Sequence, residues 1–279
     1  MYDKEYVLAV PSYFRDQTFK NKTMKILMEH HIKPKKIYIF VANEEQKKVY
    51  EESLPKYYNK LVVGKPGIKN IRNFMAEYFP EKQRIFYIDD DISHLYKTEN
   101  KVDPTNKKYN RLVPLENLHE FIKTGFKEAK KRKIDNWGVY PVENPFFMKA
   151  TTNNVDDYAS TKLCYIMGGM TGVVNNHKCE IRTVDDKEDF ERSIKYYLKD
   201  DGLLRFNNVT CRTMCYKEPG GMQVERTKKR IHDSAVYLTE KYPDLCSLNT
   251  SKKSGYTEVR LRDKRNQVKK TKKKSRKLM

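Results

Sequence analysis

The chain has 279 residues, 38% hydrophobic and 34% charged, with 57 Lys/Arg against 37 Asp/Glu and a formal net charge of +20. There is enough apolar content for a folded globular body, and no apolar run approaches the roughly 20 residues that a bilayer-spanning helix needs. Five cysteines (164, 179, 211, 215 and 246) form an odd set without framework spacing, which argues for reduced thiols and an intracellular location rather than a disulfide scaffold.

The opening "MYDKEYVLAVPSY" has no basic stretch ahead of a long apolar run, so no secretory leader is expected. Residues 5–11 read as a first strand and 18–30 as a helix with Met24, Leu27 and Met28 on one stripe. A strand at 35–42, a helix at 43–53 with acids in its first turn, and a strand at 59–64 follow. A turn and helix at 65–79 then lead to a strand at 83–88. Strand and helix thus alternate with short connections, the pattern of a parallel α/β sheet with right-handed crossovers. Residues 97–113 read as a polar loop, and 114–133 as an amphipathic helix with Leu118, Phe121, Ile122, Phe126 and Ala129 on its apolar side. Strands are expected at 136–142 and at 161–176, the second passing through a Gly-Gly kink, with a helix at 186–200. No repeat or Ser/Gly-rich linker divides the chain. The expectation is one domain over 1–250 and a basic segment over 251–279. Residues 252–279 hold 13 Lys/Arg and two acids. That tail reads either as a solvated end or as an arm attracted to a polyanion such as nucleic acid, and the basic body favours the second.

"RIFYIDDDI" (84–92) sets three carboxylates at the end of a strand, where open α/β sheets bind ligands. Three adjacent like charges call for a neutralising partner, and a hard cation such as Mg²⁺ or Mn²⁺ is the economical one. In extended backbone Asp89 and Asp91 share a side and Asp90 faces the other, so the first two suit a cation, or a cation and a ribose hydroxyl. A solvated acidic turn is the plainer alternative. "VPSYFR" (10–15) follows the first strand and offers Pro11, Ser12, Tyr13 and Arg15, a set suited to a nucleobase and diphosphate or simply a strand exit. "GKPGIKNIRN" (64–73) puts Lys69 and Arg72 on a helix behind a turn, a plausible phosphate cradle that lacks the spacing of a P-loop or dinucleotide fingerprint. "TVDDKEDFERSI" (183–194) is an acidic cluster entering a helix. It reads as complement to the helix dipole or as a general base, Asp189, aimed at an acceptor hydroxyl. "CRTMC" (211–215), with His177 and Cys179, is a poor match to zinc spacing, and His232 reads as a surface or packing histidine before a metal ligand.

Taken together and in order, "VPSYFR", "IYIFVANEEQ", "VVGKPGIKNIRNF" and "RIFYIDDDI" resemble the glycosyltransferases associated with TET/JBP base hydroxylases. That family occurs in phages and other viruses and includes the kinetoplastid base J glucosyltransferase. The resemblance covers residues 6–96 and continues through "EDFE" at 188–191. It implies a GT-A-like, Rossmann-related mixed α/β sheet flanked by helices. It also implies a nucleotide-sugar donor (UDP-glucose or a relative), Mn²⁺ or Mg²⁺, and a hydroxymethylated pyrimidine in DNA as acceptor, in a host cytoplasm if phage-encoded. By position, Asp89 and Asp91 match the family's Asp-x-Asp metal element and Asp189 the aspartate of its Glu-Asp pair. Pro11, Ser12, Tyr13, Arg15 and Arg72 match donor-site residues, and His232 stands as a candidate C-terminal metal histidine. A glycan or protein acceptor, nucleotidyl transfer, or DNA binding without chemistry are the alternatives.

Overall fold

The computed structural model describes residues 5–102, 105, 108–214, 220–221, 226–249 and 255–263. The first half contains β1 (Val7–Pro11), α1 (Asp16–Phe19), α2 (Lys25–Glu29), β2 (Ile37–Val41), α3 (Glu44–Ser53), β3 (Lys60–Val63), α4 (Ile68–Tyr78) and β4 (Arg84–Ile88). A π-helical turn at Lys20–Met24 joins α1 to α2. β1 pairs in parallel with both β2 and β4, and β2 with β3. β1 and β2 are apolar runs because helices cover both faces of the sheet. Asn43 caps α3 by accepting from the Gln46 N–H, and Glu44 and Glu45 complement the first turn. The alternation expected from the sequence is present here.

The second half contains β5 (His94–Val102), β6 (Lys108–Pro114), α5 (Leu118–Lys131), β7 (Asn136–Val139), α6 (Val155–Tyr158), β8 (Ala159–Ser160) and β9 (Met170–Val174). α7 (His177–Glu180), α8 (Glu188–Asp200), β10 (Leu204–Phe206), β11 (Val209–Arg212), α9 (Lys228–Lys241), β12 (Cys246–Asn249) and β13 (Glu258–Leu261) follow among the described residues. Among the described residues the main sheet has eight strands in the order β3-β2-β1-β4-β9-β7-β10-β8. β9 runs antiparallel to both β4 and β7, and β8 antiparallel to β10, so the sheet is mixed. The fold is therefore the expected mixed α/β sheet flanked by helices. One core gathers α2, α3 and α5 around Trp137, and the other gathers α4, α8 and α9 on the opposite face.

Several expectations give way. The polar stretch 97–113 is a hairpin, β5–β6, with β11 on its other edge. This small sheet lies outside the main one and needs few apolar side chains, so its sequence mimics a loop. The strand expected over 161–176 is limited to Met170–Val174; the diglycine just ahead of it keeps one backbone bond to the end of β4, Gly169 O accepting from Asp89 N at 3.0 Å. The expected boundary near 250 falls between β12 and β13, which pair with each other. Beyond them the buried Asp263 carboxylate accepts from Leu163 N at 2.8 Å, tying this end to the body. Most of the basic tail, 264–279, lies outside the described residues, as does Cys215. Cys211 belongs to the core around Trp137 and Cys179 to the opposite core, so the weak zinc pattern does not converge.

Candidate active site

Between β1 and β4 the connections change direction, and the strand ends there open onto a cavity of about 840 Å³. Switch points of open sheets are the usual ligand sites, and this volume suits a substrate of nucleotide-sugar size. Pro11, Ser12, Tyr13 and Arg15 line it from the end of β1 and the segment after it, and Asp89, Asp90 and Asp91 from the turn after β4.

The acidic triplet is held from several sides. Thr23 Oγ1 donates to the Asp89 carbonyl at 2.7 Å and accepts from Ile92 N at 3.0 Å, fixing the turn after β4. Asp89 pairs with Arg72 Nη2 at 2.5 Å. Asp90 points the other way, accepting from Ser12 Oγ at 2.6 Å and Arg15 Nη1 at 3.2 Å. Asp91 lies 3.6 Å from the same guanidinium nitrogen. Burial pushes the Asp90 carboxyl up to about 7 against the pull of Arg15 and Ser12. Burial first, then the neighbouring Asp89 charge, also raises Asp91.

Facing them is the start of α8. Lys187 sits there with φ of 63°, and its Nζ is 2.7 Å from Glu258 on β13. The next two residues have opposite fates. Glu188 turns into the protein, where Arg182 Nε reaches it at 2.8 Å and Arg72 Nε lies 3.7 Å away. Asp189 turns to the cavity wall, and Tyr165 Oη donates to its Oδ2 at 2.5 Å. Burial and the Glu188 charge hold Asp189 above the ordinary carboxylate range, while Tyr165, Arg192 and Lys187 pull it down. A carboxylate poised in this way suits proton acceptance.

Gly168 and Gly169 join the two halves. A Cβ on Gly168 would lie 3.2 Å from Glu188 Oε1 and 3.7 Å from the Asp189 Cβ; one on Gly169 would lie 2.3 Å from Asp89 Oδ2. The diglycine therefore brings the Asp89 carboxylate and the Asp189 side chain close to one segment. Beyond it, buried Asp186 holds Arg226 at 2.9 Å and Arg230 at 2.6 Å, adding cations to the lining.

Nine of the residues singled out from sequence meet in this cavity: Pro11, Ser12, Tyr13, Arg15, Arg72, Asp89, Asp90, Asp91 and Asp189. Two do not. Lys69 pairs with Asp185 at 3.4 Å on the outside of α4, and Lys65 lines the cavity in its place. His232 is exposed on α9, and its Nδ1 is 2.9 Å from Thr257 Oγ1. The helix phase of each turns it away. Sequence reasoning missed Tyr165, Gly169, Arg182, Arg226 and Arg230; the Gly-Gly pair was visible only as a kink.

Among the described residues no group of three or more His, Cys, Asp or Glu side chains is set to hold a metal ion. Asp89 and Asp91 have the chemistry that a hard divalent cation takes, one or two carboxylates with substrate phosphates and water completing its shell, but here Asp89 is paired with Arg72 and Asp91 lies beside Arg15, which Asp90 also contacts. The raised Asp91 fits too, since a cation would relieve the charge repulsion behind part of the shift.

No protein-family model and no curated protein matches the chain. Among solved structures it is similar to S. aureus TarS 1–349, with 10% identity and a TM-score of 0.44 over 84% of this chain. The match spans 65% of that TarS chain's length. It is also similar to the UTP-bound UGPase from Acinetobacter baumannii, with 8% identity and a TM-score of 0.39 over 75% of this chain and 87% of that one. Similarity this low leaves the chemistry to be read from the cavity's own residues.

Proposed function

We propose that this chain is a glycosyltransferase of the TET/JBP-associated kind. It moves a sugar from a nucleotide-sugar donor, UDP-glucose or a relative, to the hydroxymethyl group of a modified pyrimidine in DNA. One observation supports this most: the strand-end carboxylates and a separate carboxylate, Asp189, held by Tyr165, meet across a diglycine in one cavity that also holds arginines. The Asp89/Asp91 pair suits a Mn²⁺ or Mg²⁺ ion, which would neutralise charge on the departing diphosphate. Arg15, Arg226 and Arg230 supply cations for the phosphates, and Tyr13 an aromatic face for the base. Asp189 takes the proton as the hydroxymethyl oxygen attacks the anomeric carbon. The sugar–diphosphate bond breaks and the nucleoside diphosphate leaves with its electron pair. A single displacement of this kind inverts the anomeric centre. The basic chain holds the DNA backbone without reading sequence. Among the described residues no helix is long and apolar enough to cross a membrane.

The test is incubation with a panel of nucleotide sugars and a hydroxymethylated duplex, with and without chelator, followed by digestion to nucleosides and mass spectrometry. A chelator-sensitive glycosylated nucleoside supports the proposal. Transfer that needs no DNA would select a glycan or protein acceptor, and incorporation of nucleotide would select nucleotidyl transfer.

A further inference from the structure

The segment after β7 leads from the cavity wall to an exposed aromatic pair. Pro141 and Val142 line the cavity. Four residues on, Phe146 is 83% and Phe147 60% exposed, their rings edge to face with centroids 5.0 Å apart. The loop that carries them is braced by the whole small sheet. From β6, Asn110 Nδ2 donates to the carbonyls of Pro145 at 3.3 Å and Met148 at 2.9 Å. From β5, the Thr98 hydroxyl bonds the Lys149 carbonyl. From β11, Arg212 clasps Glu143, its Nε 2.7 Å from Oε2. Asn144 caps the short turn by accepting from Phe146 N at 3.0 Å, and the buried Met148 anchors its far side. A loop this well tied holds two phenyl rings in water although Met148, one residue further on, is inside.

We infer that Phe146 and Phe147 form a wedge that stacks against or between DNA bases beside the cavity mouth. This rests on the DNA-acceptor reading above. A pyrimidine in a duplex must be unstacked to reach a cavity, and the gap it leaves must be filled. Rigid apolar side chains inserted at a base step do this in DNA-kinking proteins, and aromatic rings stack on any base without reading its identity. The charge agrees: Lys149, two residues past Phe147, and Lys162, next to the cavity-lining Leu163, are exposed, and the chain as a whole carries +20, matching a phosphate backbone.

The experiment uses full-length chain and a duplex carrying one 5-hydroxymethylcytosine next to 2-aminopurine, whose fluorescence rises on unstacking. Wild type should raise the fluorescence severalfold. Phe146→Ala/Phe147→Ala should lose most of that rise and bind the duplex at least about 5- to 160-fold more weakly, the span for loss of one stacking ring. Phe146→Tyr, which keeps the ring, should behave as wild type. Hydrolysis of the nucleotide sugar by water should be the same in all three. Equal fluorescence and affinity in the double variant overturns the wedge while leaving the transferase reading intact. No duplex binding by wild type, with donor hydrolysis present, overturns the DNA acceptor and the wedge together. A wild-type dimer that the double variant dissociates, or wild-type binding to phosphatidylglycerol vesicles that the variant loses, also overturns the wedge, assigning the rings to self-association or to a lipid surface.

Discussion

Replacing Gly169 with alanine should separate activity from stability. Its Cβ would stand 2.3 Å from Asp89 Oδ2, 2.7 Å from Cγ and 3.2 Å from the Asp89 Cβ, so the carboxylate must move by about 1 Å to reach ordinary contact. Asp89 can do so, since its side chain is 37% exposed and lines the cavity. The rotamer displacement costs about 0.5–1.5 kcal/mol, offset in part by the roughly 0.4–1 kcal/mol that Gly→Ala contributes through the unfolded chain. Net stability should therefore change by about 1 kcal/mol or less, or about 2–4 °C in Tm for a chain of this size. Catalysis has no such relief, and a misplacement of about 1 Å commonly costs about 10²-fold. Gly172→Ala is the control. Its Cβ would lie 2.2–2.5 Å from three indole atoms of Trp137. That ring is fully buried and hemmed by Phe121, Phe126 and Phe206, with centroids 5.4–5.8 Å away. Overpacking there costs about 1–3 kcal/mol, lowering Tm by up to about 10 °C while the folded fraction keeps its turnover. Thermal melts and donor-consumption rates with Mn²⁺ measure both. Turnover within twofold of wild type in Gly169→Ala, or a melt as low as that of Gly172→Ala, would refute the assignment of the diglycine as the support of Asp89.

Asp189→Asn should slow transfer by about 10²–10⁴ with donor affinity unchanged, and the product anomer read by NMR should be inverted. Because the base works only when ionised, the rate should rise with pH through the Asp189 pKa, which burial and Glu188 hold above the ordinary range. Tyr165→Phe removes a hydrogen bond that lowers that pKa, so the acid limb of the pH–rate profile should move to higher pH; an unmoved limb assigns it to another group. Arg182→Leu leaves the buried Glu180 and Glu188 without the cation that now pairs with both, and urea melts should show a loss of about 3–5 kcal/mol. Removing residues 264–279 takes away nine Lys/Arg and no acid, so the slope of log affinity against log salt for duplex DNA should flatten, with turnover on a short saturating duplex little changed.

What the sequence determined by itself was local and periodic. β1 and β2 are apolar runs because both their faces are covered, and the short helices between strands left few ways to connect them. The Asp89–Asp91 triplet stood out because three like charges at a strand end need a partner from elsewhere. The hairpin at β5–β6 escaped notice because a small sheet outside the main one can be built of polar residues. Tertiary structure decided which of two neighbours does what. Glu188 and Asp189 are about 100° apart on one helix, and only the placement of Arg182 and Arg72 makes the first an internal brace and leaves the second to the cavity. Lys69 and His232 had suitable chemistry, but the phase of α4 and α9 turned them outward. Gly168–Gly169 was legible as a bend, yet its contacts with Asp89 and Glu188 arise from packing segments far apart in the chain. A period of two or 3.6 residues fixes which face a side chain occupies within its element, whereas meetings between elements depend on how the whole chain closes, and no local spacing records them.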